Sequence, residues 1–164
     1  MAARGVHFAV TSSEAEALLA TKSDRKLKPM IERIEEAWDR PFLVETDKAW
    51  DAIHRCLTDG SLLYESGEYP LNHCICGGRQ LHRGRDYTVS FVSALQVKDV
   101  EVALAKVTKV WMRKRYSLID PEDYTGVELG EEDFGYTWEN FLDVRRFYKK
   151  AAQEGRAGIF TVDC

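Results

Sequence analysis

At 164 residues and 18.8 kDa, the chain has the size of one domain and buries on folding roughly 70% of the surface its unfolded form exposes, so its core needs no disulfide or metal. Its 45% hydrophobic and 30% charged residues exclude a disordered chain, and a formal net charge of −4 excludes a globally basic, nucleic-acid-binding surface. With no apolar run of roughly eighteen residues and no basic start followed by an apolar stretch, neither a membrane partner nor a secretory signal is expected.

A cytoplasmic setting follows from these exclusions, in which Cys56, Cys74, Cys76 and Cys164 are reduced thiols.

In chain order, Gly5–Thr11 is rich in β-formers, and Ser12 and Ser13 then offer caps for a helix through Leu18 and Leu19. From Lys28 to Arg40, Met30, Ile31, Ile34, Ala37 and Trp38 recur at helical spacing, with Pro29 suited to a first turn and Pro41 as a stop. A short extended piece, Phe42–Val44, leads to Thr46 or Asp47 as N-cap of a helix that carries Trp50, Ile53, His54 and Leu57 at i, i+3, i+4 and i+7 and ends at Gly60. The next forty residues are irregular, punctuated by glycines, with Tyr87–Val92 as the best strand. The stripe Val97, Val100, Leu104, Val107 and Trp111 predicts one continuous helix over 96–115, with Arg113, Lys114 and Arg115 towards the negative end of its dipole. Residues 120–133 are acidic with no basic residue and read as a loop. Thr137 then caps a helix to Gly155, and Ala157–Val162 closes the chain as an apolar strand suited to the centre of a sheet.

The expected fold is a single α/β or α+β domain over 1–164. A mixed central sheet contains the first and last strands and is flanked by helices near 28–40, 47–58, 96–115 and 137–154.

Asp47-Lys-Ala-Trp50 with Asp51, Ile53 and His54, followed by Leu57-Thr-Asp-Gly60, resembles the signature helix of the YfbM-like proteins, a bacterial family of unknown function. Leu71–Gly78, Tyr136-Thr-Trp138 and Ile159–Val162 resemble further parts of that family, so the likeness covers nearly the whole chain. It implies a three-layer arrangement with the sheet between helices, and it brings no catalytic residue or cofactor with it. His73, Cys74 and Cys76 stand where the family has apolar or basic residues, so a metal site there is no family trait.

Four constellations carry possible chemistry. His54 beside Asp47, Trp50 and Asp51 is either a general base in a cleft near a helix start or a packed imidazole with Asp51 paired to Arg55 one turn on. The thiols and imidazoles around Cys56, His73, Cys74, Cys76 and His82 lack the spacing of a zinc site, because side chains one residue apart on an extended segment diverge. No metal is expected, and a Cys/His nucleophile needs a basic, open environment that the sequence does not display. The acidic segment 120–133 is a solvated face or, if it binds, a surface for a basic protein partner. The clusters Arg79–Arg85 and Arg113–Arg115 lack an arrangement of stacking aromatics, and the Gly77-Gly78 pair is a weak phosphate signal.

No nucleophile, metal or phosphate motif passes its geometric test, so the favoured function is a non-catalytic binding or protein-interaction module without cofactor. The alternative is a small hydrolase or transferase using His54, Asp47 or Asp51 and a cysteine. The candidate binding residues are Asp47, Trp50, Asp51 and His54, with Tyr136 and Trp138 from the later segment that shares the resemblance.

Overall fold

The first strand, β1 (Gly5–Val10), and the last, β5 (Ala157–Asp163), lie side by side and antiparallel, with Phe8 opposite Ile159. This pairing is seen in a computed structural model that describes residues 3–124 and 127–163. Between them in sequence come β2 (Leu43–Asp47), β3 (Arg79–Gln80) and β4 (Tyr87–Val92), and the sheet order is β2-β1-β5-β4-β3. The closing strand is therefore central, as its unbroken apolar run requires. Every pairing is antiparallel, so the α+β class holds while the sheet is not mixed. β3 and β4 form a hairpin, and the other paired strands meet through long connections that return each one against its neighbour's direction.

Alternation along the strands sends side chains to two different cores. Phe8, Val10, Val89, Phe91 and Ile159 pack against α1 (Ser12–Ala20) and α2 (Asp24–Ala37). On the opposite face Ala9, Val92, Phe160 and Val162 pack under α3 (Trp50–Leu57), α4 (Ala94–Ala105), α5 (Lys109–Tyr116) and α6 (Glu131–Gln153). The result is three layers, helix on sheet on helix.

Several boundaries differ from the sequence reading, each for a local reason. Thr11 rather than Ser12 caps α1, in a reciprocal box with Glu14. Ser23 caps α2, which starts a turn earlier than predicted and leaves Pro29 inside the helix. The predicted 96–115 helix is two: Thr108 accepts a bond from the Trp111 amide at 3.1 Å and starts α5 anew. Thr137 is no cap but a buried residue in the interior of α6, whose first turn is Glu131, Glu132 and Asp133. Composition marked those carboxylates as loop, yet negative charge is what a helix N-terminus favours. Among the described residues, no helix is long and apolar enough to cross a membrane.

Candidate functional site

The helix that carries Trp50 and His54 is a core element. Neither Thr46 nor Asp47 caps it. The Thr46 hydroxyl donates to the Gly5 carbonyl at 3.3 Å, and Asp47 adopts a left-handed backbone, φ +47°, ahead of the turn. Trp50 is buried against Phe160 and donates from Nε1 to the Ala3 carbonyl at 2.8 Å. His54 is 0% exposed, with Nε2 3.0 Å from the Leu63 carbonyl and Nδ1 unpartnered. The carbonyl only accepts, so Nε2 carries the proton. Burial pushes this imidazole below its ordinary pKa.

The remaining sequence candidates are placed apart. Asp51 binds Arg55 at 2.6 Å, and the buried Arg55 guanidinium continues to Asp123 at 2.5 Å. Asp47 and Tyr136, far apart in sequence, do meet: the Tyr136 hydroxyl donates to Oδ2 of Asp47 at 2.9 Å and accepts from the Lys48 amide at 3.3 Å. Trp138 is half-buried and stacked on Phe141. Among the described residues, a hollow lined by Val127 to Asp133 and Tyr136 takes in Tyr136 but none of the other five.

The thiols fare likewise. Cys74 and Cys76 do not lie on a strand; they follow a 3-10 turn at Leu71–His73 and both are buried, as is Cys56. Burial raises the Cys56 thiol to about 12 and raises that of Cys74 further. Cys164 lies outside the described residues. Among the described residues, no group of three or more His, Cys, Asp or Glu is placed to hold a metal ion. The glycine pair is likewise a packing device. A Cβ at Gly77 would overlap the Asn72 carbonyl oxygen, and one at Gly78 would lie 2.5 Å from that of Phe91.

Most of the acidic segment stays exposed, and Asp133 is the carboxylate in it that turns inward. Asp133 accepts from the hydroxyls of Tyr116 at 2.6 Å and Tyr124 at 3.0 Å, and Glu131 pairs with Arg113. Arg115 donates to the carbonyls of Cys56 and Thr58 at the end of α3. Of the basic cluster at 113–115, Arg115 is thus spent inside the fold and Arg113 on a surface pair, while Lys114 is exposed.

What the sequence reading missed is a cleft of about 440 Å³ on the other face of the sheet, beneath α2. Its floor is apolar: half-buried Val6 is the accessible part, and Leu27, Ile31 and Val89 lie packed beneath it at 1–2% exposure. Trp38 forms a wall. It ends α2 in a left-handed conformation, φ +41°, a position that usually takes glycine, and its ring meets Phe8 edge-on. Holding an aromatic residue there costs about 1–2 kcal/mol, offset by the burial of the indole against the sheet.

Polar contacts lock both ends of the cleft. Near the start of α2, Asp24 accepts from the amides of Arg83 at 2.8 Å and Gly84 at 3.0 Å, which hold its carboxyl below the usual range, and His82 Nδ1 lies 3.5 Å away. Further along, the Tyr87 hydroxyl donates to Glu35 in a short hydrogen bond. Burial, and then this carboxylate, raise the Tyr87 phenol above its ordinary pKa. Arg4 closes the far side through a 2.8 Å pair with Glu45. Lys28, Glu32 and Glu35 were legible as a polar edge of an amphipathic helix, but nothing in one sequence sets that edge over Tyr87 and Thr161.

With the geometry in view, kinship can be stated. The family model described as domain of unknown function (DUF1877) matches residues 1–161. The chain belongs to the DUF1877 family. A curated member-like relative, Protein YfbM of Escherichia coli (strain K12), is 23% identical over 142 residues, covering 82% of this chain and 85% of its own. The crystal structure of YfbM from Escherichia coli, described as a protein of unknown function, superposes with a TM-score of 0.72 and 18% identity over 99% of both chains. That likeness establishes the fold this DUF1877 chain shares with YfbM, and it agrees with the resemblance carried by the Trp50 helix.

Proposed function

We propose that this DUF1877 chain is a non-catalytic binding module whose ligand site is the cleft beneath α2. One observation carries the reading. The cleft is a concave, apolar-floored space within the size range of small-molecule sites, roughly 300–1,000 Å³, and ionisable side chains line it. His54, Cys56 and Cys74 are buried in the opposite layer, and in the cleft itself His82 is taken up by Asp24 and Asp86 and the Tyr87 hydroxyl by Glu35. A basic protein partner at 120–133 has less to hold, since Asp123, Glu131 and Asp133 already have internal partners.

The test is a ¹⁵N-resolved NMR titration of the full chain with single-ring fragments that are neutral, cationic or anionic. Binding should shift the amides of Ile31, Tyr87, Val89 and Thr161. Shifts confined to the hollow lined by Val127 to Asp133 and Tyr136 or to the Trp50 helix, or chemical turnover of a fragment, would overturn the proposal.

A further inference from the structure

We infer that the α2 cleft selects an organic cation, a protonated amine or guanidinium on a small apolar body, with its charge against Glu35 and its body on Val6 and Trp38. The inference rests on the reading of this cleft as the ligand site and adds the chemistry of the occupant.

Charge complementarity is the first argument. Five carboxylates line the cleft, Glu32, Glu35, Glu45, Asp86 and Asp163, against two fixed cations, Arg4 and Lys28. The net charge of the lining is therefore −3 with His82 neutral. Arg4 is already committed to Glu45 at 2.8 Å and approaches Asp47 at 3.9 Å. Lys28 is exposed on α2 and acts on Asp86 at the hairpin end. Among the described residues, the side chains of Glu32 and Asp163 have no hydrogen-bond or ion-pair partner. An anion entering here meets like charge on most sides.

Desolvation supplies the second argument. Glu35 is half-buried above the apolar floor, and the one hydrogen bond it accepts, from Tyr87, does not neutralise it. A carboxylate accepts about four hydrogen bonds in all. A neutral apolar occupant would cover Glu35 and leave it short of partners, which is costly. An ammonium or guanidinium would replace the lost water with charge-assisted bonds. The indole of Trp38 adds a face to which cations are attracted.

The experiment uses three shape-matched probes on the full chain at neutral pH: 2-phenylethylammonium, 2-phenylethanol and 3-phenylpropionate. The ammonium is expected to bind about tenfold or more tightly than either of the others, one decade being a modest return for one charge-assisted contact. Its affinity should fall about fivefold or more in Glu35→Gln, which keeps an acceptor for Tyr87, and weaken with added salt. Asp163→Asn, at an exposed strand end, provides a second variant whose fold is not at risk, expected to weaken binding about twofold. Equal binding of the alcohol or the acid at Ile31 and Val89 would overturn the selectivity and leave the cleft as the binding site. Unchanged ammonium affinity in both variants would have the same meaning. If none of the probes shifts the cleft resonances, both the selectivity and the site fall.

Discussion

His7 and Tyr148 converge on one oxygen: His7 Nε2 and the Tyr148 hydroxyl each lie 2.7 Å from the Cys74 carbonyl. A carbonyl only accepts, so both groups donate, and His7 holds its proton on Nε2 while Nδ1 has no partner. The shared acceptor pins the irregular Leu71–Gly78 segment to β1 and to α6 at once. Burial lowers the His7 pKa to about 4, against the bond to the Cys74 carbonyl, which favours the charged ring.

Acid should therefore destabilise the protein in a defined window. The folded pKa of His7 lies below the unfolded value of 6.5, so the unfolded chain binds the proton first. Its contribution is complete above about pH 6.5 and is lost as pH falls towards 4, about 3 kcal/mol in all. Urea unfolding between pH 7 and 4.5 should show this slope, and His7→Gln, which retains a donor, should flatten it. A slope left intact in that variant would mean that His7 is not the responsible group. Some slope remains in any case, because His54 is shifted in the same direction.

The Asp133 carboxylate serves two buried phenols, Tyr116 and Tyr124. Asp133→Ala leaves both hydroxyls without their acceptor and should cost about 2–4 kcal/mol. Tyr116→Phe removes one donor while leaving the other bond, and should cost about 1 kcal/mol. Denaturant midpoints in the same buffer compare the two, and equal losses would contradict a shared acceptor.

Two glycines with different surroundings should respond differently to alanine. Gly77 has the Asn72 carbonyl where a Cβ would go, so Gly77→Ala must displace backbone and should cost about 3 kcal/mol. Gly60 has a left-handed φ of +94° but open space around its Cβ position, so Gly60→Ala should cost only about 1 kcal/mol. Thermal unfolding of both variants decides whether the pair at 77–78 is there for packing.

Thiol accessibility supplies an independent check on the core. In a Cys164→Ser background, Cys56, Cys74 and Cys76 should react with a disulfide reagent at mildly alkaline pH only as fast as the protein unfolds, because all three are buried and the Cys56 thiolate forms only near pH 12. Rapid reaction of one native thiol would contradict the placement of the 71–78 segment.

Local signals in the sequence were enough for β4 at Tyr87–Val92, for the central closing strand, for the buried stripe of Trp50, Ile53, His54 and Leu57 and for the Asp51–Arg55 pair. Each of these depends on spacing within a few residues, where the period of a helix or strand is itself the physics. The break at Thr108 and the helical start at Glu131 were not legible. An apolar stripe passes unchanged through a kink, and acidic residues suit both a loop and a helix N-terminus.

What the sequence by itself determined is the α+β class and the family, and it offered the burial of the signature helix as one of two readings, because periodic burial is written in neighbouring residues. Tertiary structure alone decided that Glu35 would meet Tyr87, that Asp47 would meet Tyr136, and that a charged cleft would open under α2. Those meetings depend on strand order and on which face of the sheet each helix covers, and one chain's periodicity carries information about neither.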